Sequence, residues 1–340
     1  MTREFATNAA AAEIDGKGIL ITGGTGSFGR RMAEILLARH APRRLVVFSR
    51  DEFKQIEMER GLAAGEHQAL RYFIGDVRDR DRLRMAMRDI DIVIHAAALK
   101  HVPTAEYNPI ECIHTNVLGA ENVIQAAIDA GVEKVIALST DKAASPVNLY
   151  GASKLAADKL FVAGNALAGA GGTRFSVVRY GNVVGSRGSV VPLFRRLAAE
   201  GADALPITDP RMTRFWITLG QGVDFVLSCL PAMTGGEIFV PKIPSMRVAD
   251  LARCLAPDLP HRIVGIRPGE KLHEVLITED DSRTTVAAHD RYVIQPPFGL
   301  AGGSAALPDT EPAPEGFRYA SDINEEWLDE AQMHRLIEAA

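Results

Sequence analysis

GILITGGTGSFGRRMAEILLAR, residues 18–39, decides the fold. It opens with a short β-branched and aliphatic run, the pattern of a buried strand, and closes with apolar residues at helical spacing. Between the two, Gly23, Gly26 and Gly29 stand three apart, and Gly24, Gly26 and Gly29 also fit the spacing G-x-G-x-x-G. Glycine there permits a tight strand-to-helix turn and lets backbone amides approach a pyrophosphate at the helix N-terminus. Glycine turns are common by themselves. The position directly after a first strand and at the start of a first helix is what points to a dinucleotide site. Thr25, Ser27, Phe28 and Arg30 complete the turn and join the glycines as candidate cofactor contacts.

Outward from this unit the same rhythm continues. RLVVFS, LRYFIGDV, DIVIHAAA, KVIALST and RFSVVRY alternate with amphipathic stretches ending near 40 and 58, at 80–87, at 109–130 and from 150 onward. Strands alternating with helices mean a parallel sheet with crossover helices. The expected fold is therefore α/β, a Rossmann-like doubly wound sheet of six or seven parallel strands with a smaller C-terminal substrate lobe. After Gly185 the rhythm breaks into short pieces punctuated by Pro192, Pro206, Pro210, Pro241 and Pro244. That pattern suits a lobe interleaved with the sheet better than an independent domain. We divide the chain into a flexible tail over 1–16, the dinucleotide-binding domain over 17–185 and the lobe over 186–300. A Gly/Pro/Ala-rich flexible linker over 301–315 and a terminal segment with a short helix over 316–340 follow.

With 340 residues, 47% of them hydrophobic, the chain can bury a large core. A net charge of -5 gives no electrostatic reason to expect nucleic acid or an anionic membrane as partner. Cys112, Cys229 and Cys254 are odd in number and far apart, so neither a disulfide framework nor a metal site is expected. No apolar run reaches the roughly 20 residues that span a bilayer, and the start lacks the apolar stretch of a signal peptide. A cytoplasmic protein acting on a small molecule is the expectation.

The second strand ends in SRDEFKQ, where a fold preferring NAD usually places an acidic residue for the ribose hydroxyls. Here Ser49 and Arg50 come first and Lys54 follows one turn on, which favours the 2′-phosphate of NADP, although Asp51 remains able to serve NAD. Asp76 and Val77, at the end of the third strand, are placed to meet the adenine. Ala96, Ala97 and Lys100 follow the fourth strand and complete the cofactor set.

Tyr150 and Lys154 stand four apart at the start of a helix and share one face. A neighbouring cation makes a tyrosine a better base, able to take a proton from an alcohol while the same carbon loses hydride. Ser139 and Thr140 end the preceding strand, with Thr140 a candidate member of the catalytic group. Asp141 and Lys142 come next, beside the strand end that should face the nicotinamide. Simple oxidation needs neither. A sugar oxidised at carbon 4 has an acidified hydrogen on carbon 5, so a base there and an acid at the carbon 6 hydroxyl would expel water. Lys142 serves as base if its pKa falls, through desolvation and the nearby Lys154, and Asp141 serves as acid if burial keeps it protonated. Without Tyr150 and Lys154, the pair would read as a surface salt bridge.

TGGTGSFG, SRDEFKQ, HAAALKHVP, STDKAASPVNLYGASK, RYGNVVGSRGSVVPLF and RPGEKLHE, in this order over residues 17–298, resemble the inverting UDP-N-acetylglucosamine 4,6-dehydratases of pseudaminic acid biosynthesis, in the extended short-chain dehydrogenase superfamily. The resemblance implies a tightly bound NADP regenerated each cycle and UDP-N-acetylglucosamine as substrate. It also implies that Lys142 removes the carbon 5 proton, that Asp141 assists loss of the carbon 6 hydroxyl, and that Tyr150 and Lys154 run the hydride steps. Tyr150 stands where retaining relatives carry methionine, which favours inversion. The same matches offer Lys100, Arg179, Asn182, Arg214, Arg267 and Glu270 as substrate contacts, arginines being suited to a diphosphate and Glu270 to ribose hydroxyls. A homo-oligomer, a dimer or larger, is usual for the fold class. A retaining dehydratase, a 4-epimerase that would carry small residues in place of Asp141 and Lys142, and a non-catalytic NADP sensor are the alternatives.

Overall fold

A computed structural model describes residues 5, 7, 9–62, 68–186, 188–296 and 309–339. Strands β1 (Gly18–Thr22), β2 (Arg44–Ser49), β3 (Leu70–Ile74), β4 (Ile92–His95), β5 (Lys134–Thr140) and β6 (Arg174–Tyr180) pair in parallel in the order 3-2-1-4-5-6. The order reverses between β1 and β4, and a doubly wound sheet opens its ligand crevice at the strand C-termini beside such a reversal. β1 is buried along its whole length, as a strand covered by helices on both faces must be.

The lobe returns to the sheet. Strand Ile238–Pro241 pairs in parallel with β6 as a seventh parallel strand, and Arg291–Ile294, Thr285–Ala287 and Glu311–Pro312 extend the edge antiparallel to a total of ten strands. Helix Leu219–Cys229, fixed at its start by a Thr218–Gln221 capping box, packs on helix Ser27–Arg39 behind the glycine turn. The lobe's own core gathers Trp216, Met246, Leu251 and Cys254 with Met333, Leu336 and Ile337 of the terminal helix Glu330–Glu338.

Two segments depart from expectation. The stretch 1–16 is no flexible tail where it is described: Phe5, Ala10 and Ile14 are buried, and Phe5 meets Phe225 edge-on at 4.8 Å between ring centroids. Apolar residues thinly spread among alanines gave too weak a periodic signal to reveal this docking. Residues 301–308 of the expected linker lie outside the described residues. Its end is not linker but the edge strand Glu311–Pro312, on which Pro is tolerated because an edge position needs no ladder donor.

Between β4 and β5 the single helix expected over 109–130 is broken into Pro109–Ile113, a π-helical turn His114–Leu118 and Gly119–Ala130, and a further helix, Val102–Tyr107, precedes it. π-Turns of this kind commonly mark functional sites. Here Asn116 donates from Nδ2 to the Leu99 carbonyl and to Ser153 Oγ, at 2.9 Å each, and its Oδ1 accepts from Leu99 N–H at 2.8 Å. The loop after β4 is thereby tied to the helix Leu149–Ala168 that carries Tyr150.

Candidate active site

The glycine turn is built for close approach. Gly23 has φ +65°, and a Cβ there would stand 2.9 Å from the Ala97 backbone; a Cβ on Gly29 would fall 2.5 Å from Gly24 Cα. Glycine alone satisfies both restrictions. The turn forms one end of a cleft of about 690 Å³ that runs from Ser49, Arg50 and Asp76 past Ala96 and Ala97 to Lys142, Tyr150 and Lys154. Three buried polar atoms of cleft residues, Thr115 Oγ1, Asn182 Oδ1 and Ser189 Oγ, make no hydrogen bond among the described residues. Buried polar atoms normally find a partner, so a polar ligand fits here.

At the β2 end, Ser49 is buried and accepts a hydrogen bond from Gln55 Nε2 at 3.0 Å. Arg50 reaches toward Asp76 at 3.5 Å, and Lys54 pairs with Asp51 at 2.7 Å. Both cations and both carboxylates line the cleft, as do Gly23, Thr25, Gly26, Ser27, Phe28, Gly29, Val77 and Lys100. The Lys54 side chain, with hydrogen bonds to the main chain behind it, holds the Asp51 carboxyl below the usual range. Asp76 also accepts two bonds from the Arg78 guanidinium and lies lower than usual: burial would raise it, but Arg78 and Arg50 prevail. Arg30 is not part of the cleft; it turns to Glu34, 3.5 Å away on its own helix. Helix spacing placed it near the turn, and its i,i+4 partner points it elsewhere.

At the β5 end, Thr140 caps the short 3₁₀ turn Asp141–Ala143, its hydroxyl accepting from Lys142 N–H at 3.3 Å and donating to Asp141 Oδ1 at 2.9 Å. Helix Leu149–Ala168 then begins on Asn148, whose Oδ1 accepts from Gly151 N–H at 2.7 Å. Tyr150 and Lys154 follow in its first two turns, and Lys154 is buried. Burial pushes the Tyr150 phenol up to about 12, Asp141 adding to the rise while Lys142 and a hydrogen bond with Thr140 oppose it. Burial also lowers the Lys154 ammonium, partly offset by Asp158.

Lys142 lies between two carboxylates, its Nζ 3.0 Å from Asp141 Oδ1 and 3.2 Å from Glu274 Oε1. Burial alone would depress the amine, but Asp141 and Glu274 outweigh it and hold Lys142 above its ordinary value. The expectation that desolvation lowers Lys142 is therefore corrected for the chain by itself. Asp141, 1% exposed, behaves as expected: burial raises its pKa, and Glu274 raises it further against the pull of Lys142.

Two expected substrate contacts have other work. Arg179 is 2% exposed, donates to the Leu276 carbonyl at 3.0 Å and pairs with Asp158 at 3.3 Å, away from the cleft. Asp158 in turn accepts from Ser139 Oγ at 2.8 Å and faces Lys154, so Arg179 braces the helix from behind. Its place on β6 points inward, a face that motif matching alone does not resolve. Arg214 is likewise buried, donating to the carbonyls of Thr213, Leu272 and Lys271, with Nε 3.6 Å from Glu274. Asn182 lines the cleft. Arg267 and Glu270 lie 3.8 Å apart on a turn outside the cleft lining, and the Gly269 carbonyl of that turn accepts from Asn148 Nδ2 at 2.7 Å, just before Tyr150.

Sequence reading missed Glu274 and Asn116. The signal for Glu274 was a single acid directly ahead of the apolar run VLI, a pattern that suggests a buried carboxylate in need of a partner. For Asn116 no signal exists, because its role depends on the π-turn. His95, in an apolar strand, is 1% exposed, lies 2.8 Å from the Thr22 hydroxyl and is pushed by burial down to about 3. It is a neutral core residue.

Residues 19–296 match the family described as "Polysaccharide biosynthesis protein". The chain is 57% identical over 330 residues to a protein of Campylobacter jejuni subsp. jejuni serotype O:23/36 (strain 81-176) named UDP-N-acetylglucosamine 4,6-dehydratase (inverting), covering 95% of this chain and 98% of the relative. It is 45% identical over 272 residues to a UDP-glucose 4-epimerase of Rickettsia typhi (strain ATCC VR-144 / Wilmington), covering 78% and 79%. Among solved structures, DesIV, a dTDP-glucose 4,6-dehydratase from Streptomyces venezuelae crystallised with NAD and TYD, superposes with a TM-score of 0.68 at 25% identity, over 75% of this chain and 86% of that one.

Proposed function

This chain belongs to the polysaccharide biosynthesis protein family, in the branch of the inverting UDP-N-acetylglucosamine 4,6-dehydratases, and on that premise we propose that it dehydrates UDP-N-acetylglucosamine to a UDP-2-acetamido-2,6-dideoxy-4-keto-hexose. The observation that carries the reading is an amine, Lys142, that lines the same cleft as Tyr150 and Lys154 and stands 3.0 Å from the buried acid Asp141 behind it. An alcohol dehydrogenase needs only the second pair; expelling water needs both.

The nicotinamide dinucleotide, when bound, supplies a reversible hydride store that takes from carbon 4 and gives to carbon 6. Gly23, Gly26 and Gly29 would admit its pyrophosphate, and Arg50 and Lys54 favour the 2′-phosphate of NADP. Tyr150, backed by Lys154, takes the proton of the carbon 4 hydroxyl. Lys142 in its amine form takes the carbon 5 proton, and Asp141 gives its proton to the departing carbon 6 hydroxyl, which leaves as water. Positive charge brought beside Tyr150 and Lys142 lowers the pKa of both, the direction each needs to act as a base. Reprotonation of carbon 5 on the opposite face gives inversion, and the product suits a first step toward pseudaminic acid. Asn182, with Lys100, Arg267 and Glu270 at the loops around the cleft, are the substrate contacts in this reading.

No helix among the described residues is long and apolar enough to cross a membrane. Cys112, Cys229 and Cys254 are buried and unbridged, which suits a cytoplasmic protein. Tyr107, Ile110 and Leu118, exposed on the helices beside the active-site helix, favour a homo-oligomer.

The similarity to a 4-epimerase supports a second reading. Intact mass of the sugar nucleotide decides between them. Loss of one water without net consumption of added NADP is the expected result, and an unchanged mass with a new stereoisomer would establish the epimerase instead. Proton NMR of the product reads the configuration at carbon 5.

A further inference from the structure

Glu274 comes from the lobe, yet its carboxylate enters the cluster formed by β5 and the helix that follows. It is 1% exposed and rigidly mounted: its N–H donates to Ser321 Oγ at 2.9 Å, its carbonyl accepts from Ser321 N–H at 2.8 Å, and strand Val275–Ile277 pairs with Tyr319–Ala320. The cations around it are graded in distance. Lys142 Nζ is 3.2 Å away, Arg214 Nε 3.6 Å and Lys271 Nζ 3.9 Å. Arg214 is engaged with three backbone carbonyls and Lys271 donates to the Ala144 carbonyl at 2.5 Å, which leaves Lys142 as the cation nearest to Glu274. The second oxygens of both carboxylates, Asp141 Oδ2 and Glu274 Oε2, are buried without a hydrogen-bond partner.

Two carboxylates facing one ammonium in a buried site do not both ionise cheaply, since like charges at this range repel and one of them keeps its proton. The surroundings decide which. Glu274 faces Lys142, Arg214 and Lys271, whereas Asp141 has Lys142 and the neutral Thr140 hydroxyl beside it. We propose that Glu274 is a positioning residue that serves as the anionic partner of Lys142, leaving Asp141 as the carboxylic acid that protonates the leaving hydroxyl. This rests on the dehydratase reading above. The directions of titration agree: burial would raise Glu274, but Lys142, Arg214 and Lys271 bring it below its usual value, while Asp141 is raised.

In the elimination, the carbon 5–hydrogen bond breaks and its proton goes to the Lys142 amine. The electron pair forms the carbon 5–carbon 6 double bond, the carbon 6–oxygen bond breaks, and the Asp141 proton converts the departing hydroxyl to water. Glu274 remains a carboxylate throughout. Its charge raises both Lys142 and Asp141, so its removal lowers both.

The test is the pH profile of dehydration by the full-length protein with Glu274→Gln. Both limbs should move to lower pH, by roughly one to three units as expected for loss of a close charge, with a fall in kcat at neutral pH and little change in KM. Glu274→Asp, which keeps the charge, should restore the limbs most of the way. A Glu274→Gln profile with unmoved limbs, whether at full or reduced amplitude, overturns the proposal, because a merely structural role lowers amplitude without moving them. Should that variant fail to fold, infrared spectra of the wild-type protein decide. A protonated-carboxyl band at neutral pH that disappears in Asp141→Asn supports the proposal, and its absence from the wild type overturns it. Absence of any water loss by the wild type would instead sink the dehydratase reading.

Discussion

Gly151 rests against the backbone carbonyl of Lys142 so closely that any Cβ on it would overlap that oxygen. The helix bearing Tyr150 and Lys154 is thus seated directly on the turn bearing Asp141 and Lys142, and the two reactive pairs share one rigid frame. Gly151→Ala forces them apart. Overpacking of this kind costs about 1–3 kcal/mol, and a displacement near 1 Å costs about 100-fold in rate. Thermal unfolding and kcat measured on the same preparation check both figures; unchanged turnover would show that the contact does not set the geometry.

Lys142→Ala should stop water loss while leaving oxidation at carbon 4 in place, because Tyr150 and Lys154 sit on a different element. Loss of a positioned acid–base group lowers the rate by about 10²–10⁴-fold. Nicotinamide fluorescence on adding substrate should persist while the dehydrated product disappears. Full dehydration by this variant would remove Lys142 from the mechanism.

Arg50 and Lys54 each stand beside a carboxylate at the β2 end of the cleft, Asp76 at 3.5 Å and Asp51 at 2.7 Å. Hydrogen bonds to charged groups contribute about 1.5–3 kcal/mol. The double variant Arg50→Ala/Lys54→Ala should therefore lose about ten- to hundredfold in NADP affinity with NAD affinity little changed, as read by calorimetry. Equal losses for both cofactors would contradict the NADP assignment.

His95 ties stability to acid pH. Its folded pKa, about 3, lies below the 6.5 of an exposed imidazole. As pH falls through 6.5 the unfolded chain takes a proton that the folded chain refuses. Stability is thus fully present above 6.5 and declines toward 3, at about 1.4 kcal/mol per pH unit for one proton. Denaturant midpoints measured from pH 7 to 4 should fall less steeply in His95→Asn than in the wild type. Identical slopes would mean that other groups carry the acid limb.

Tyr107 and Ile110 are 87% and 60% exposed beside the active-site helix, and Leu118 is 42% exposed. Ile110→Asp puts a charge into this apolar face and should shift sedimentation toward the monomer. A wild type that sediments as a monomer would dispose of the oligomer reading.

Much of the site was legible because it depends on local chemistry. The glycine turn, the strand-end residues Ser49, Asp76 and Ala96, and the Tyr150–Lys154 pair all lie where strand–turn–helix geometry dictates, and they meet at one cleft. Arg179 and Arg214 were misread because a sequence motif carries no information on which way a side chain faces. Both are held inside by carbonyls and carboxylates from distant segments.

By itself the sequence determined the alternating parallel sheet, the dinucleotide turn, and the presence of an acid and an amine beside a tyrosine–lysine pair. Hydrophobic period and glycine spacing are properties of contiguous residues. The tertiary structure decided which way the pKa of that acid and that amine moves. Glu274, just ahead of the strand Val275–Ile277, arrives from 132 residues beyond Lys142, and the pKa of a buried group follows from burial and from charges a few ångströms away, carried by groups that are its neighbours in space and not in the chain.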